Sequence, residues 1–164
     1  MKKIGIVMGS TSDLAVVEKA TKVLDEYTAP YEVHVYSAHR TPEEARAFSA
    51  EAREKGFGAI IAFAGMAAHL AGAVAANTTL PVIGVPCASA VLDGIDALLS
   101  TVMMPSGIPV ATVAVGGGAN AALLALQILA VEDAELARKL DQARKKAADK
   151  VLVSDAEIAA RFHK

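Results

Sequence analysis

Three short segments of this chain set a proton-transfer or anion-binding side chain among small residues. In Ser37-Ala38-His39-Arg40-Thr41-Pro42, histidine is the residue type that gains and loses a proton near neutral pH. Arginine offers a fixed fork of donors to a phosphate or carboxylate. Side by side, His39 and Arg40 would put an acid/base and an anion clamp at one place. In Gly9-Ser10-Thr11-Ser12-Asp13, glycine lets the backbone approach a ligand, and hydroxyls with free helix N–H groups suit a phosphate. Asp13 repels phosphate and is better suited to ribose hydroxyls. The same stretch also reads as a plain capped turn, and its residues alone do not choose. In Gly65-Met66-Ala67-Ala68-His69-Leu70, small residues would let a ligand lie against the backbone. His69 either bonds that ligand or is a core histidine satisfied locally.

The remaining reactive types point elsewhere. His34 falls inside an apolar, β-rich run and reads as structural, and His163 sits at the C-terminus and reads as solvated. Cys87, in VPCAS, has no histidine or basic neighbour in sequence and reads as a buried, inert thiol. No histidine or cysteine spacing suggests a metal. Gly116-Gly117-Gly118 lacks both the Lys-Ser/Thr of a P-loop and the spacing of a dinucleotide loop.

These segments follow apolar runs. Residues 4–8, 33–36, 59–64, 82–85 and 110–115 are short, continuous and β-rich, the pattern of parallel strands covered on both faces. Helical patterns lie between them. Residues 13–27 carry Val16, Val17, Ala20, Val23, Leu24 and Tyr27 on one face, with Ser12 or Asp13 as cap. Residues 41–55 open with Thr41 as cap, Pro42 at the first helical position and Glu44 closing a capping box. Residues 120–130 are apolar nearly all round and predict a helix buried on most sides. Residues 132–152 place Leu136, Leu140, Ala143, Ala147 and Val151 on one stripe. Ser154 to Glu157 reads as a second capping box, opening a short terminal helix. Alternating β and α elements argue for an open, doubly wound α/β domain, three layers thick and spanning 1–164. Ligands of such sheets bind beyond the carboxyl ends of the strands, where the three segments fall.

Composition narrows the class. The chain has 164 residues, of which 54% are apolar, and its mean hydropathy is +0.40. That is high for a small monomer and predicts an interface between copies. A formal net charge of −2 without a basic stripe argues against nucleic acid. One cysteine allows no intrachain disulfide and fits a reducing compartment. The apolar run near the N-terminus is too short for a signal peptide, and no apolar stretch reaches membrane-spanning length unbroken. A cytoplasmic protein is expected.

Five segments in order, MGSTSD (8–13), SAHRTP (37–42), AGMAAHLAG (64–72), PVIGVPCAS (81–89) and MPSGIPVATVAVGGGANAALLALQIL (104–129), resemble the N5-carboxyaminoimidazole ribonucleotide mutase family of purine biosynthesis over nearly the whole chain. The resemblance implies a flavodoxin-like three-layer αβα sandwich with a five-stranded parallel sheet and additional C-terminal helices, assembled as a homo-octamer. It implies isomerisation of a small-molecule ribonucleotide, N5-carboxyaminoimidazole ribonucleotide, to 4-carboxy-5-aminoimidazole ribonucleotide, without cofactor. His39 matches the acid/base; Ser10, Asp13 and Arg40 match nucleotide-binding positions; His69 matches a second histidine near the imidazole. Ser12, Ser37, Gly65 and Leu70 complete the expected substrate-binding set. This chain departs from the family's Gly-Gly-Ala-Ala-His at Met66, which adds bulk beside the pocket, and from its Leu-Pro-Gly at Ala71. Rival readings are a CO2-dependent aminoimidazole ribonucleotide carboxylase, which typically has lysine after the strand-two histidine, and a non-catalytic flavin carrier or receiver. Aromatic residues at 4% argue against flavin stacking.

Overall fold

The computed structural model describes residues 1–89 and 92–162. Five strands, β1 (Lys3–Met8), β2 (Tyr31–Val35), β3 (Phe57–Ala64), β4 (Val82–Pro86) and β5 (Ala111–Thr112), form one sheet in the order β2-β1-β3-β4-β5. Every pairing is parallel. The helices are α1 (Leu14–Glu26), α2 (Pro42–Glu51), α3 (Leu70–Ala75), α4 (Ile95–Val102), α5 (Gly118–Ala130) and α6 (Ala134–Phe162).

Strand alternation divides the core in two. Ile4, Ile6, Met8, Ile61, Phe63, Ile83 and Val85 face α1, α5 and the start of α6. Val7, Ile60, Ala62 and Val82 face α2 and α3. The central strands are buried on both faces, which is why their sequence is apolar without alternation. Each fully buried Ile or Phe contributes about 1.5–3 kcal/mol of transfer free energy. The triglycine segment serves packing rather than a phosphate: a Cβ on Gly118 would collide with the Val16 carbonyl, so glycine lets α5 lie against α1.

Several sequence expectations change. Asp13 holds the N-cap position of α1 but makes no side-chain capping bond; a single 3-10 turn (Thr11–Asp13) precedes the helix, and Ser10 caps that turn by accepting from the Ser12 N–H at 3.3 Å. Pro42 does open α2, but Thr41 makes no side-chain capping bond. Its hydroxyl instead accepts from Ser37 N at 2.8 Å and donates to Ser37 O at 3.3 Å, closing the preceding loop. α2 ends at Glu51, and turns carry the chain to β3. The expected fifth strand contracts to two residues, because it pairs only with β4 and the chain then turns at Gly116, whose φ is 69°. No terminal helix starts at Ser154; α6 runs unbroken through it, and only Leu136 and Leu140 of its stripe are buried. α5 buries Gly118, Ala121, Ala122, Ala125 and Leu126, with its other apolar residues half-buried.

Candidate active site

The strand order reverses between β1 and β3, and the loops that leave their carboxyl ends part there. A cleft of about 650 Å³ opens at that point. It is lined by Gly9, Ser10, Ser12 and Asp13 after β1, by Ser37, His39 and Arg40 after β2, by Gly65 and Leu70 around the β3–α3 loop, and by Ala88 and Ser89 after β4. Four segments far apart in sequence thus converge because parallel strands all point their carboxyl ends the same way.

The loop after β2 is held by its own hydroxyl. Ser37 Oγ accepts from the backbone N–H of His39 at 3.4 Å and of Arg40 at 3.2 Å. The Arg40 guanidinium crosses to the β1 loop and donates to the Gly9 carbonyl at 2.8 Å, with a longer Nε contact to Ser37 Oγ at 3.5 Å. Five N–H donors are available on a guanidinium, so donors remain for an anion. Arg40 also borders a second, smaller hollow of about 320 Å³ with Ser10, Thr11 and Thr41.

His39 Nε2 lies 3.1 Å from His69 Nδ1. The rings meet nearly at right angles, 86°, with centroids 5.2 Å apart. One proton shared between facing ring nitrogens makes one the donor and the other the acceptor. His69 sits just before α3, on a turn in which its N–H donates to the Ala67 carbonyl at 2.7 Å. Ala67 adopts a left-handed φ of 54° there, the kind of backbone strain that concentrates at functional sites. His69 therefore contacts its partner histidine rather than the core.

Asp13 is 7% exposed although it lines the cleft. Burial pushes its carboxyl above the ordinary carboxylate value, while hydrogen bonds from Ser12 and from Cys87 pull the other way. Cys87 is buried, and burial, then the Asp13 charge, push its thiol up to about 12. It stays protonated and is no nucleophile. Met66, 71% exposed, stands at the rim.

Every residue expected at a site from sequence falls in or against this cleft: Ser10, Ser12, Asp13, Ser37, His39, Arg40, Gly65 and Leu70 line it, and His69 joins through His39. His34 lies apart, stacked on Tyr36 at 5.0 Å within an edge strand, and His163 is outside the described residues. Sequence reasoning missed Ala88 and Ser89. The rule that ligands bind at strand ends would have found them, since they lie two and three residues after β4. Among the described residues, no three His, Cys, Asp or Glu side chains gather as metal ligands do.

The profile of a family described as AIR carboxylase matches residues 3–150. The N5-carboxyaminoimidazole ribonucleotide mutase of Bacillus subtilis (strain 168) is 53% identical over 94% of this chain and 97% of its own. That of Methanocaldococcus jannaschii is 52% identical over 97% and 99%, and that of Escherichia coli (strain K12) 51% over 92% and 90%. Among solved structures, Treponema denticola PurE superposes with a TM-score of 0.87 at 31% identity, covering 94% of this chain and 97% of that one.

Proposed function

The chain belongs to the AIR carboxylase family and isomerises N5-carboxyaminoimidazole ribonucleotide in de novo purine biosynthesis, and we propose that His39 is the acid and then the base of that reaction. The observation that carries this assignment is the common cleft. His39, the Arg40 guanidinium and the Asp13 carboxylate, from two loops, border one space at the switch point of the sheet.

Arg40 takes the phosphate with Ser10, Ser12 and Ser37, and Asp13 accepts from ribose hydroxyls. Gly65 and Leu70 let the base lie against the β3 loop, with His69 beside the imidazole. The carboxylated exocyclic nitrogen then faces His39. His39 donates its proton to that nitrogen as the nitrogen–carboxyl bond breaks, which releases CO2 and leaves His39 neutral. The ring carbon C4 attacks the CO2 carbon, forming the new carbon–carbon bond. Neutral His39 removes the proton from C4, which restores the aromatic ring and the starting protonation of the enzyme. The proton balance is zero, and no cofactor enters the scheme. The CO2 must stay in place between the two steps, so the occupied cleft is closed to water.

The whole chain, 1–164, acts as one nucleotide-binding catalytic domain in a homo-octamer. The support is apolar surface left uncovered: Ile95, Leu99 and Met103 on and after α4 are 52%, 55% and 76% exposed, and Val151 to Val153 on α6 are exposed as well. Among the described residues no helix is long and apolar enough to cross a membrane. With its single cysteine reduced, the enzyme works in the cytoplasm on a small ribonucleotide rather than on nucleic acid.

The test is a paired assay. One reaction supplies N5-carboxyaminoimidazole ribonucleotide; the other supplies aminoimidazole ribonucleotide with bicarbonate. Rapid turnover of the first alone is expected. Consumption of the second alone would replace the mutase with a CO2-dependent carboxylase.

A further inference from the structure

Carbon dioxide is the one species in the reaction that the cleft has no polar means to hold. It carries no charge for the Arg40 guanidinium, and a neutral, apolar gas is kept only by a wall that water does not cross. Among the described residues, two large apolar side chains line the cleft, Leu70 and Met66. The rest of the lining is polar or small. Leu70 is 2% exposed and already packed in the core. Met66 is 71% exposed, so its apolar surface is still free. The loop that carries it is fixed at both ends. Cys87 N–H donates to the Ala64 carbonyl at 2.8 Å where the loop leaves β3, and the buried Ala68 and Leu70 tie it to the start of α3. Between these anchors the His69 N–H closes a tight turn on the Ala67 carbonyl at 2.7 Å, and Met66 and Ala67 form its exposed apex.

We infer that Met66 closes the occupied cleft, its side chain folding over the bound base so that CO2 stays between the exocyclic nitrogen and C4. The inference rests on the release-and-recapture scheme given above. A methionine side chain is unbranched and turns about three bonds, so it covers the opening without moving the anchored loop. In retained turnover the nitrogen–carboxyl bond breaks, the His39 proton goes to nitrogen, the same CO2 carbon bonds to C4, and the C4 proton returns to His39. In a leak the first step is unchanged, but the CO2 diffuses away. Aminoimidazole ribonucleotide then departs with the added proton on nitrogen, and His39 takes a replacement proton from water. The sum of the leak is carbamate plus one proton giving amine plus CO2. An opening that lets CO2 out also lets CO2 from solution in.

The test follows carbon. Full-length wild type, Met66→Leu, Met66→Gln and Met66→Ala turn over unlabelled N5-carboxyaminoimidazole ribonucleotide in isotopically labelled bicarbonate, with carbonic anhydrase keeping bicarbonate and CO2 in equilibrium. At early conversion, mass spectrometry reads the label in the product carboxylate, and released aminoimidazole ribonucleotide is measured against an enzyme-free control. Wild type and Met66→Leu are expected to exclude the label. Met66→Ala and Met66→Gln are expected to take it up about 10-fold more, the size of one apolar side chain's burial, and to release aminoimidazole ribonucleotide in proportion. Met66→Gln keeps the length of the side chain, so this arm stands apart from any change in the loop. Label exclusion by Met66→Gln equal to wild type overturns the proposal, because an apolar cover is then unnecessary. A Met66→Ala enzyme that is slower yet does not leak also overturns it, since Met66 then serves binding or the loop. Wild-type product labelled to the level of the surrounding CO2 overturns the release-and-recapture scheme itself, whatever the variants do.

Discussion

The Nε2 of His39 faces the Nδ1 of His69 at 3.1 Å, across a gap of 30 residues in sequence. Only one proton fits between the two facing nitrogens, so one ring donates across the gap and the other accepts. Such a pair can keep a proton at a defined position while a substrate's chemistry removes and returns it.

His39→Asn is expected to abolish turnover while the fold and nucleotide binding survive. Both halves of the reaction move a proton at the same place, and asparagine cannot carry one at neutral pH. General acid–base catalysis is typically worth roughly 10²–10⁴-fold, and a group used twice sets the loss at or above that range. His39 is exposed, so the melting temperature should hold. Turnover and melting measured on one preparation decide it: a stable variant with a near-normal rate would refute the role.

Arg40→Ala should weaken substrate binding more than it slows chemistry. A lost charge-assisted contact of about 1.5–3 kcal/mol corresponds to roughly 10- to 150-fold in affinity. Arg40→Lys should recover only part, because a point charge cannot reach both the Gly9 carbonyl and a phosphate as the fork does. Titration calorimetry with the product nucleotide checks this, and unchanged affinity in Arg40→Ala rules out the clamp.

Asp13→Asn should stabilise the empty protein at neutral pH while weakening substrate binding. Burial holds the folded carboxyl above its ordinary value of 3.8. Between the unfolded and folded values the native state binds more protons than the unfolded state, so stability falls as pH rises through that window. Above the folded value the whole cost of the buried charge is present, and below 3.8 it is gone. Urea unfolding should therefore separate the two proteins near neutrality and bring them together in acid. A variant that is less stable than wild type at pH 7 would contradict this.

The enzyme is expected to sediment as an octamer at micromolar concentration. Leu99→Glu, placed on the exposed apolar face of α4, should shift it toward smaller species, since a charge there would be buried unpaired between copies. A monomeric wild type would remove the oligomer from the account.

The strands, their order along the chain and the three functional segments were all legible in the sequence. Continuous apolar runs such as 59–64 have few alternatives to a doubly covered strand, and His39 with Arg40 just before Pro42 marks a strand end followed by a helix start. α3 (LAGAVA) gave no such mark, because a short, uniformly apolar helix lacks the polar face that reveals a period; α4 (IDALLSTV) has polar residues but spans only eight positions, too few to show one. Thr41 and Glu44 looked like a capping box, yet Thr41 turned back to Ser37 because the loop after β2 offered backbone partners that a local motif cannot foresee. Local spacing reports local hydrogen bonding and burial. The contact of His39 with His69 and the reach of Arg40 to Gly9 join residues from different strand ends, and only the parallel stacking of the sheet brings those ends to one edge.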